Sequence, residues 1–152
     1  MVTIEKVNPA DHISDIRELL AKNWEETGFD FPFNPNVSAY QALYESGLCF
    51  ALRAANEYGD VIGYCTVVVV PHAHNPEVIV ASNDALFVDK PYRNGIVPGR
   101  LILSAEKHAR EMGATRFTWH CRYGTALADV LIKHGYSPVD VVVMKNLSSE
   151  VK

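Results

Sequence analysis

Residues 84–113, DALFVDKPYRNGIVPGRLILSAEKHAREMG, decide the fold of this chain. The stretch begins with apolar residues typical of a strand end and continues through a loop that carries Arg and Gly. It then becomes an amphipathic helix over 99–112 that Gly113 terminates. Such loops bind phosphate, because their backbone N–H groups point outward at a helix N-terminus, where the helix dipole favours negative charge. The sequence therefore predicts a site for a phosphate-bearing cofactor.

The length and net charge of the chain limit the classes of protein to which it can belong. At 152 residues it has the size of one domain, which we assign to residues 1–152. Its net charge of −4 argues against a broad basic surface for nucleic acid. The sequence has no apolar run of about 18 residues, and residues 1–12 lack the apolar centre of a signal peptide. We expect a cytoplasmic protein that binds neither nucleic acid nor membrane.

The three cysteines predict neither a disulfide framework nor a metal site, because their number is odd and no pair has C-x-x-C spacing. In a hairpin formed by residues 48–55 and 61–70, Cys49 faces roughly Val67. Cys65 then faces roughly Ala51. Since the two thiols are not opposed, we expect buried, reduced cysteines.

The first half of the chain predicts a strand, two helices and a hairpin. Asp11 or Ser14 can cap a helix whose apolar residues recur at helical spacing as far as Trp24. Ser38 can cap a second helix, which Gly47 terminates. The predicted ranges are strand 2–7, an irregular segment 25–37, helix 39–46, and hairpin strands 49–55 and 61–70.

The second half predicts alternating strands and helices. The ranges are loop 71–77, strand 78–88, loop 91–99, helix 99–112, strand 114–121, helix 125–135, strand 139–147 and a frayed tail at 148–152. Short connections make the second, third and fourth strands antiparallel, and the helical crossover makes the next strand parallel to the fourth. The fold class is therefore α/β (α+β), with a mixed, mostly antiparallel sheet and helices on both faces.

Two stretches resemble the GNAT superfamily of N-acetyltransferases, in particular its small bacterial and phage members. Residues 86–114, LFVDKPYRNGIVPGRLILSAEKHAREMGA, resemble the acetyl-CoA motif of that family. Residues 132–147, IKHGYSPVDVVVMKNL, resemble its C-terminal motif, and the element order also matches. The resemblance implies a GNAT-type fold and acetyl-CoA as the cofactor.

The resemblance also implies which residues bind the cofactor. Arg93 aligns with the arginine of the family's loop, whereas Ile96 and Pro98 stand where the family usually has glycine. Proline has no N–H to donate, so the phosphate cradle uses neighbouring amides, with charge from Arg93 and Arg100. The predicted cofactor-binding residues are Leu86, Phe87, Val88, Arg93, Asn94, Gly95, Ile96, Val97, Gly99 and Arg100.

The implied reaction is transfer of acetyl from the thioester to a primary amine by direct attack. The family's usual acid, a tyrosine, is replaced here by Leu131. We therefore take Tyr123 as the candidate acid, with Tyr136 and His134 as substitutes. A thioester carbonyl would meet an N–H of the strand that carries Leu86–Val88.

Asp84 is the candidate base, and strand alternation predicts that it shares a face with Ser82, Leu86 and Val88. Glu25, Glu26 and Asp30 can bind or deprotonate a cationic acceptor. The aromatic residues Phe29, Phe31 and Phe33 form a candidate lid for the acceptor site.

Two classes of function follow from these observations. The first is an acetyl-CoA-dependent N-acetyltransferase that acts on a protein lysine, a protein N-terminus or a small amine. The alternative is a catalytically weak or inactive module of the same fold that binds CoA or a protein partner, which the missing tyrosine favours. A homodimer is possible through strand 139–147 or through the valine-rich strand 61–70.

Overall fold

A computed structural model describes residues 1–148 and has a central sheet of five strands in the order β1-β2-β3-β4-β5. All neighbouring strands are antiparallel except β4 and β5, which are parallel. The strands are β1 Thr3–Val7, β2 Cys49–Ala55, β3 Val61–His72, β4 Asn75–Val88 and β5 Arg116–Thr118. The helices are α1 Pro9–Asp15, α2 Arg17–Thr27, α3 Val37–Glu45, α4 Val97–Glu111 and α5 Leu127–Lys133. The predicted fold class is confirmed.

Two of the three helices between β1 and β2 are capped by asparagines rather than by the predicted residues. The Asn8 side chain accepts a hydrogen bond from the Ala10 amide, and Pro9 occupies the first turn, where its fixed φ suits a helix. One predicted helix is therefore two, since the backbone leaves helical geometry at Ile16. Asn36 caps α3 instead of Ser38.

β2 has the predicted bounds, whereas β3 and β4 are longer than predicted, and the register between β2 and β3 differs by one residue. Segment 71–77 is not a loop, because β3 ends at His72 and β4 begins at Asn75. Cys49 pairs with Val68 and Cys65 with Leu52. The predicted register holds at the pair of Ala55 and Val61. Ile62 has no partner on β2, so all the other pairs between β2 and β3 are shifted by one residue. Both thiols are buried, and they are not opposed.

Helices cover both faces of the sheet, as predicted. Leu101, Ala105 and Ala109 of α4 pack with alternate residues of β2 and β3 in the larger cluster of buried apolar side chains. On the opposite face, Ile16 and Leu19 pack with buried aromatic residues of β3 and β4. β3 has strands on both sides, so segment 61–70 offers no free edge to a second subunit.

The predicted last strand is not formed. Residues 139–147 pair with no strand, and their apolar side chains are 75–88% exposed. β5 is also short, with three residues in place of the predicted 114–121. Of the predicted tail 148–152, all but Ser148 lies outside the described residues. Within residues 1–148, no helix has both the length and the apolar composition that crossing a bilayer requires.

Candidate active site

A β-bulge at Asp84 sets the geometry of the site. Thr66 pairs with Ala85 and Val67 pairs with Asn83, so Asp84 has no partner on β3. An extra residue reverses the alternation of side chains beyond it. Leu86 and Val88 therefore pack in the cluster beneath α4, and Ala85 and Phe87 pack in the cluster on the opposite face.

Asp84 lies on the face covered by α1–α3, where it meets α3. The Tyr40 hydroxyl donates a hydrogen bond to Asp84 Oδ2. The prediction that Asp84 shares a face with Leu86 and Val88 is therefore wrong, because simple alternation ignores the bulge. Sequence reasoning also missed Tyr40, and no sequence signal joins two residues that are 44 positions apart.

The parallel pairing of β4 and β5 stops immediately before this bulge. The pairs are Val80 with Arg116, Ala81 with Phe117 and Ser82 with Thr118. Beyond them, the side chain of Asn83 donates to the His120 carbonyl at 3.0 Å and accepts from the His120 amide at 2.6 Å. The side chain of Asn83 thus replaces the next backbone pairing between β4 and β5. In the described chain, residues 85–88 then have a strand partner on the β3 side alone.

Tyr40 is held in its neutral form beside Asp84. Burial raises the pKa of the Tyr40 phenol, and the hydrogen bond to Asp84 raises it further. The phenol therefore remains a donor and holds one carboxylate oxygen in place. Asp84 itself is exposed, and its other oxygen has no hydrogen-bond partner among residues 1–148.

The loop after β4 presents backbone amides at the start of α4. Asp89 caps a short 3₁₀ helix at Lys90–Tyr92. The Gly95 amide donates to the Tyr92 carbonyl at 3.4 Å, and the Arg100 amide donates to the Ile96 carbonyl at 3.0 Å. Four further amides of the loop have no acceptor in the part of the chain that the structure describes. They are those of Asn94, Ile96, Val97 and Gly99.

Both arginines of this region already bind protein groups. Arg93 donates through Nε to the Val88 carbonyl at 2.6 Å and pairs through Nη2 with Glu26. Arg100 donates to the Val2 carbonyl at 2.6 Å, which ties the start of α4 to the first residues of the chain. Both contacts fix the loop. Arg93 also lies over the Phe87 ring, 5.1 Å from its centroid.

Gly99 has a packing role in addition to its free amide. A Cβ at this position would lie 3.2 Å from the His134 imidazole, at the end of α5. Gly99 therefore lets the first turn of α4 approach α5 closely. The same contact accounts for His134, which the sequence offered as a substitute acid.

The candidate acids lie in different environments. Tyr123 is fully exposed and makes no hydrogen bond within the described residues. Tyr136 packs edge-on against Phe117 and Trp119 and donates to Glu106 at 3.0 Å. Burial raises the pKa of Tyr136 to about 12. Leu131, at the position of the family's tyrosine, is buried.

The aromatic segment after α2 folds onto Trp24. Its rings lie 4.4–5.7 Å from Trp24 between centroids and are those of Phe29, Phe31 and Phe33. Arg122, from the loop after β5, lies 4.7 Å from the Phe29 ring centroid. The carboxylate of Asp30 accepts from Asn146 at 3.0 Å. The segment after α2 therefore meets both the β5 loop and the C-terminal segment.

One family model matches most of the chain. The model of the acetyltransferase (GNAT) family matches residues 13–136. The chain belongs to the GNAT acetyltransferase family. This GNAT protein is accordingly an N-acetyltransferase, as the resemblance predicted. No curated protein matches it.

Solved acetyltransferases share the fold over nearly the whole chain. One, an aminoglycoside acetyltransferase from an uncultured soil metagenomic sample, is 18% identical, with a TM-score of 0.75 and coverage of 98% of this chain and 99% of its own. Glucosamine-6-phosphate N-acetyltransferase from Arabidopsis thaliana is 14% identical, with a TM-score of 0.73 and coverage of 97% and 99%. Ribosomal-protein-alanine N-acetyltransferase from Brucella melitensis biovar Abortus is 15% identical, with a TM-score of 0.71 and coverage of 96% and 98%.

Proposed function

We propose that this GNAT protein transfers the acetyl group of acetyl-CoA to a primary amine of a protein or a small molecule. The proposal rests on two features that lie together at one end of β4. The strand loses its β5 partner after Ser82, and the loop that follows it has four amides without acceptors. Free strand backbone suits an amide-bearing chain, and free amides at a helix N-terminus suit phosphates.

The cofactor assignment divides the site between strand and loop. The backbone of Leu86, Phe87 and Val88 pairs with the pantetheine arm, and the amides of Asn94, Ile96, Val97 and Gly99 bind the pyrophosphate. Acetyl-CoA supplies an acetyl group activated as a thioester. A β4 amide near the bulge then faces the thioester carbonyl and stabilises the negative charge that develops on its oxygen.

Arg93 contributes to phosphate binding in a limited way. Its Nε and Nη2 already bind Val88 and Glu26, while its Nη1 has no partner within residues 1–148. We assign Nη1 to the phosphates and the other two nitrogens to fixing the loop. Arg100 and Gly95 serve mainly to hold the start of α4, because their amide or guanidinium already has an acceptor.

Asp84 is assigned as the base. An amine resembling lysine has a pKa of about 10.4 and must lose a proton before its lone pair can attack. The oxygen of Asp84 that Tyr40 leaves free accepts this proton directly or through one water. The nitrogen forms a bond to the acetyl carbon, the carbon–sulfur bond breaks, and CoA leaves as a thiolate that takes up a proton.

Tyr123 is assigned as the acid that reprotonates the thiolate. It lies on the loop after β5, three residues beyond the point where Asn83 binds His120. This loop borders the opening between β4 and β5. The assignment rests on this placement, since the side chain makes no contact that fixes it in the described chain.

The acceptor side of the proposed site is aromatic and acidic. Trp24 and its three phenylalanines line it, and Glu25 is the one carboxylate of the predicted three without a partner in residues 1–148. Such a surface favours cationic amines over anionic ones. The similar solved enzymes are named for an aminoglycoside, an amino sugar phosphate and a ribosomal protein, all amine acceptors.

One observation favours the alternative of a non-catalytic module. Leu131, at the position of the family's tyrosine acid, is buried and has no polar group to offer. Binding of CoA without turnover would follow if Tyr123 cannot replace that tyrosine. The alternative differs from the main proposal in activity and not in cofactor.

Calorimetric titration with acetyl-CoA tests the cofactor assignment. We expect the wild type to bind, and Arg93→Ala to bind about 10- to 100-fold more weakly, as loss of a charged hydrogen bond predicts. Arg110 is exposed and lies on α4, so Arg110→Ala serves as the control. This variant should bind acetyl-CoA as the wild type does. Absence of binding by the folded wild type would overturn the assignment.

A thiol-release assay over a panel of amines then separates the two functions. Turnover with any amine supports the transferase, and a slower rate in Tyr123→Phe but not in Tyr58→Phe supports the acid. Tyr58 is a suitable control because it is also exposed and lies in the turn between β2 and β3, outside the residues assigned to the site. Binding without turnover across the panel would favour the alternative.

A further inference from the structure

Asn83 is a polar residue at a buried position inside β4. It is 8% exposed, and it pairs with Val67 of β3, which belongs to the larger apolar cluster. Asparagine is depleted in strands, because its side chain competes for backbone hydrogen bonds. A buried amide side chain is therefore stable only where it finds partners of its own. Within residues 1–148, the partners of Asn83 are the N–H and the carbonyl of one residue, His120.

These two hydrogen bonds end the pairing of β4 with β5 after Ser82. The bonds of a parallel pair are evenly spaced, and a strand edge with free donors and acceptors readily pairs with a neighbouring backbone. His120 directs both of its backbone groups toward β4, but the Asn83 side chain binds them, at 2.6 and 3.0 Å. Because a side chain then lies between the two backbones, they are farther apart than those of paired strands.

We propose that Asn83 is a positioning residue that holds the chain after β5 away from β4 and so keeps the backbone of Leu86–Val88 free for the pantetheine arm of acetyl-CoA. Because this role concerns the opening that we assign to the cofactor, it rests on the proposed function. The opening is then present before the cofactor binds, and no pairing between strands has to break to admit it. Such preorganisation raises affinity, because it removes a cost of binding.

The same contact fixes the start of the loop after β5. His120 is held by both of its backbone groups, and Tyr123, which we assign as the acid, lies three residues farther along the loop. On the other side of the contact, Asp84 follows Asn83 directly in β4. Asn83 therefore acts through the position of the strand and the loop, and not on the reacting atoms themselves.

Calorimetric titration with two ligands separates this role from a general structural one. In the proposed site acetyl-CoA contacts both the strand and the loop, whereas adenosine 3′,5′-bisphosphate has phosphates but no pantetheine arm. We expect Asn83→Ala and Asn83→Leu to bind acetyl-CoA about 10- to 100-fold more weakly than the wild type, and the bisphosphate within about twofold of it. Leucine has similar bulk but no donor or acceptor, so agreement between the variants assigns the effect to the hydrogen bonds. Retained binding of the bisphosphate also shows that each variant is folded.

Asn75→Ala is the matched control. Asn75 is the first residue of β4, and its side chain also binds a backbone amide, that of Glu77 at 3.1 Å. This variant should bind both ligands as the wild type does. Equal weakening of both ligands in the Asn83 variants would overturn the proposal, and so would unchanged binding of acetyl-CoA. Failure of the cofactor assignment itself has a different result, since the folded wild type would then bind neither ligand.

Hydrogen exchange of the wild type without ligand provides a second measurement that needs no variant. The His120 amide should exchange more slowly than the amides of residues 121–123, because it donates to a buried side chain and they have no backbone acceptor in the described chain. Exchange of His120 as fast as that of these neighbours would show that the contact with Asn83 does not hold the two strands apart, and this would also overturn the proposal.

Discussion

The two faces of the sheet differ in chemistry although the same strands form both. Beneath α4, the buried cluster is hydrocarbon apart from the thiol of Cys65. The face covered by α1–α3 contains polar and titratable groups next to a smaller apolar cluster. Among them are His12, which is buried, and Tyr64, whose hydroxyl accepts from Asn23 at 2.8 Å. The first face stabilises the fold, and the second has the groups that a proton-transfer site requires.

The bulge in β4 makes this division possible. It turns Leu86 and Val88 toward the hydrocarbon face and leaves Asp84 beside Tyr40 on the polar one. It also coincides with the point where β5 separates from β4. A single extra residue therefore brings a carboxylate and a free strand edge to the same place. Bulges are frequent next to active sites for this reason.

Asp84→Asn should have the largest effect of the substitutions that test the difference between the two faces of the sheet. If Asp84 is the base, kcat should fall by about 100- to 10,000-fold, which is the usual contribution of general base catalysis. The midpoint of unfolding should hardly change, because Asp84 is exposed and asparagine can still accept from Tyr40. Steady-state kinetics and urea unfolding measure the two quantities.

Asp11→Asn is the matched control for Asp84→Asn, since Asp11 is an exposed carboxylate on α1 of the same face. It should leave both kcat and stability unchanged. Full activity in Asp84→Asn would remove Asp84 from the mechanism. A large loss of stability in that variant would instead make it a structural residue.

The hydrocarbon face should respond in the opposite way. Leu101 of α4 is fully buried in the larger cluster, so Leu101→Ala should lower the free energy of unfolding by about 2–5 kcal/mol. Leu103, on the same helix, is 54% exposed, and Leu103→Ala should cost less than about 0.5 kcal/mol. Urea unfolding measures both. Activity per folded molecule should stay constant, and a selective loss of kcat in Leu101→Ala would contradict the division between the faces.

The polar face should also make stability depend on pH through His12. Burial, and to a smaller extent the charge of Arg53, lower the pKa of His12 from 6.5 to about 4. Neither ring nitrogen has a hydrogen-bond partner in residues 1–148. Above about pH 6.5 the imidazole is neutral in both states. As the pH falls toward 4, the unfolded chain binds a proton that the folded chain does not, which costs up to about 3 kcal/mol.

The comparison of the wild type with His12→Leu isolates this effect. Urea unfolding across that pH range should show stability falling less steeply in the variant, because leucine has similar bulk and does not titrate. Equal slopes for the two proteins would mean that His12 is not held neutral in the fold. The carboxylates contribute equally to both slopes and therefore cancel.

The regular elements near the proposed cofactor site could be predicted from sequence because their signals are local. Residues 84–113 encode a strand end, a loop and an amphipathic helix, and Gly113 ends the helix with φ at 92°. The predicted cysteine register failed because of Ile62, an extra residue that no composition rule identifies. The predicted face of Asp84 failed for the same reason. A bulge depends on how two strands pair and not on either strand alone.

Segment 139–147 shows the same limit at a larger scale. Its valines predict a strand as strongly as those of β3, but β3 lies between two strands and the segment has none beside it. Strand propensity becomes a strand only where backbone donors and acceptors find a partner. The sequence by itself determined the order of the strands and α-helices from β2 to α5, the family and the loop that follows β4, because periodicity, turn residues and short motifs are local. Only the tertiary structure decided that Tyr40 meets Asp84, that β5 leaves β4 at Asn83 and that the last valines stay exposed, because each of these depends on residues far apart in the chain.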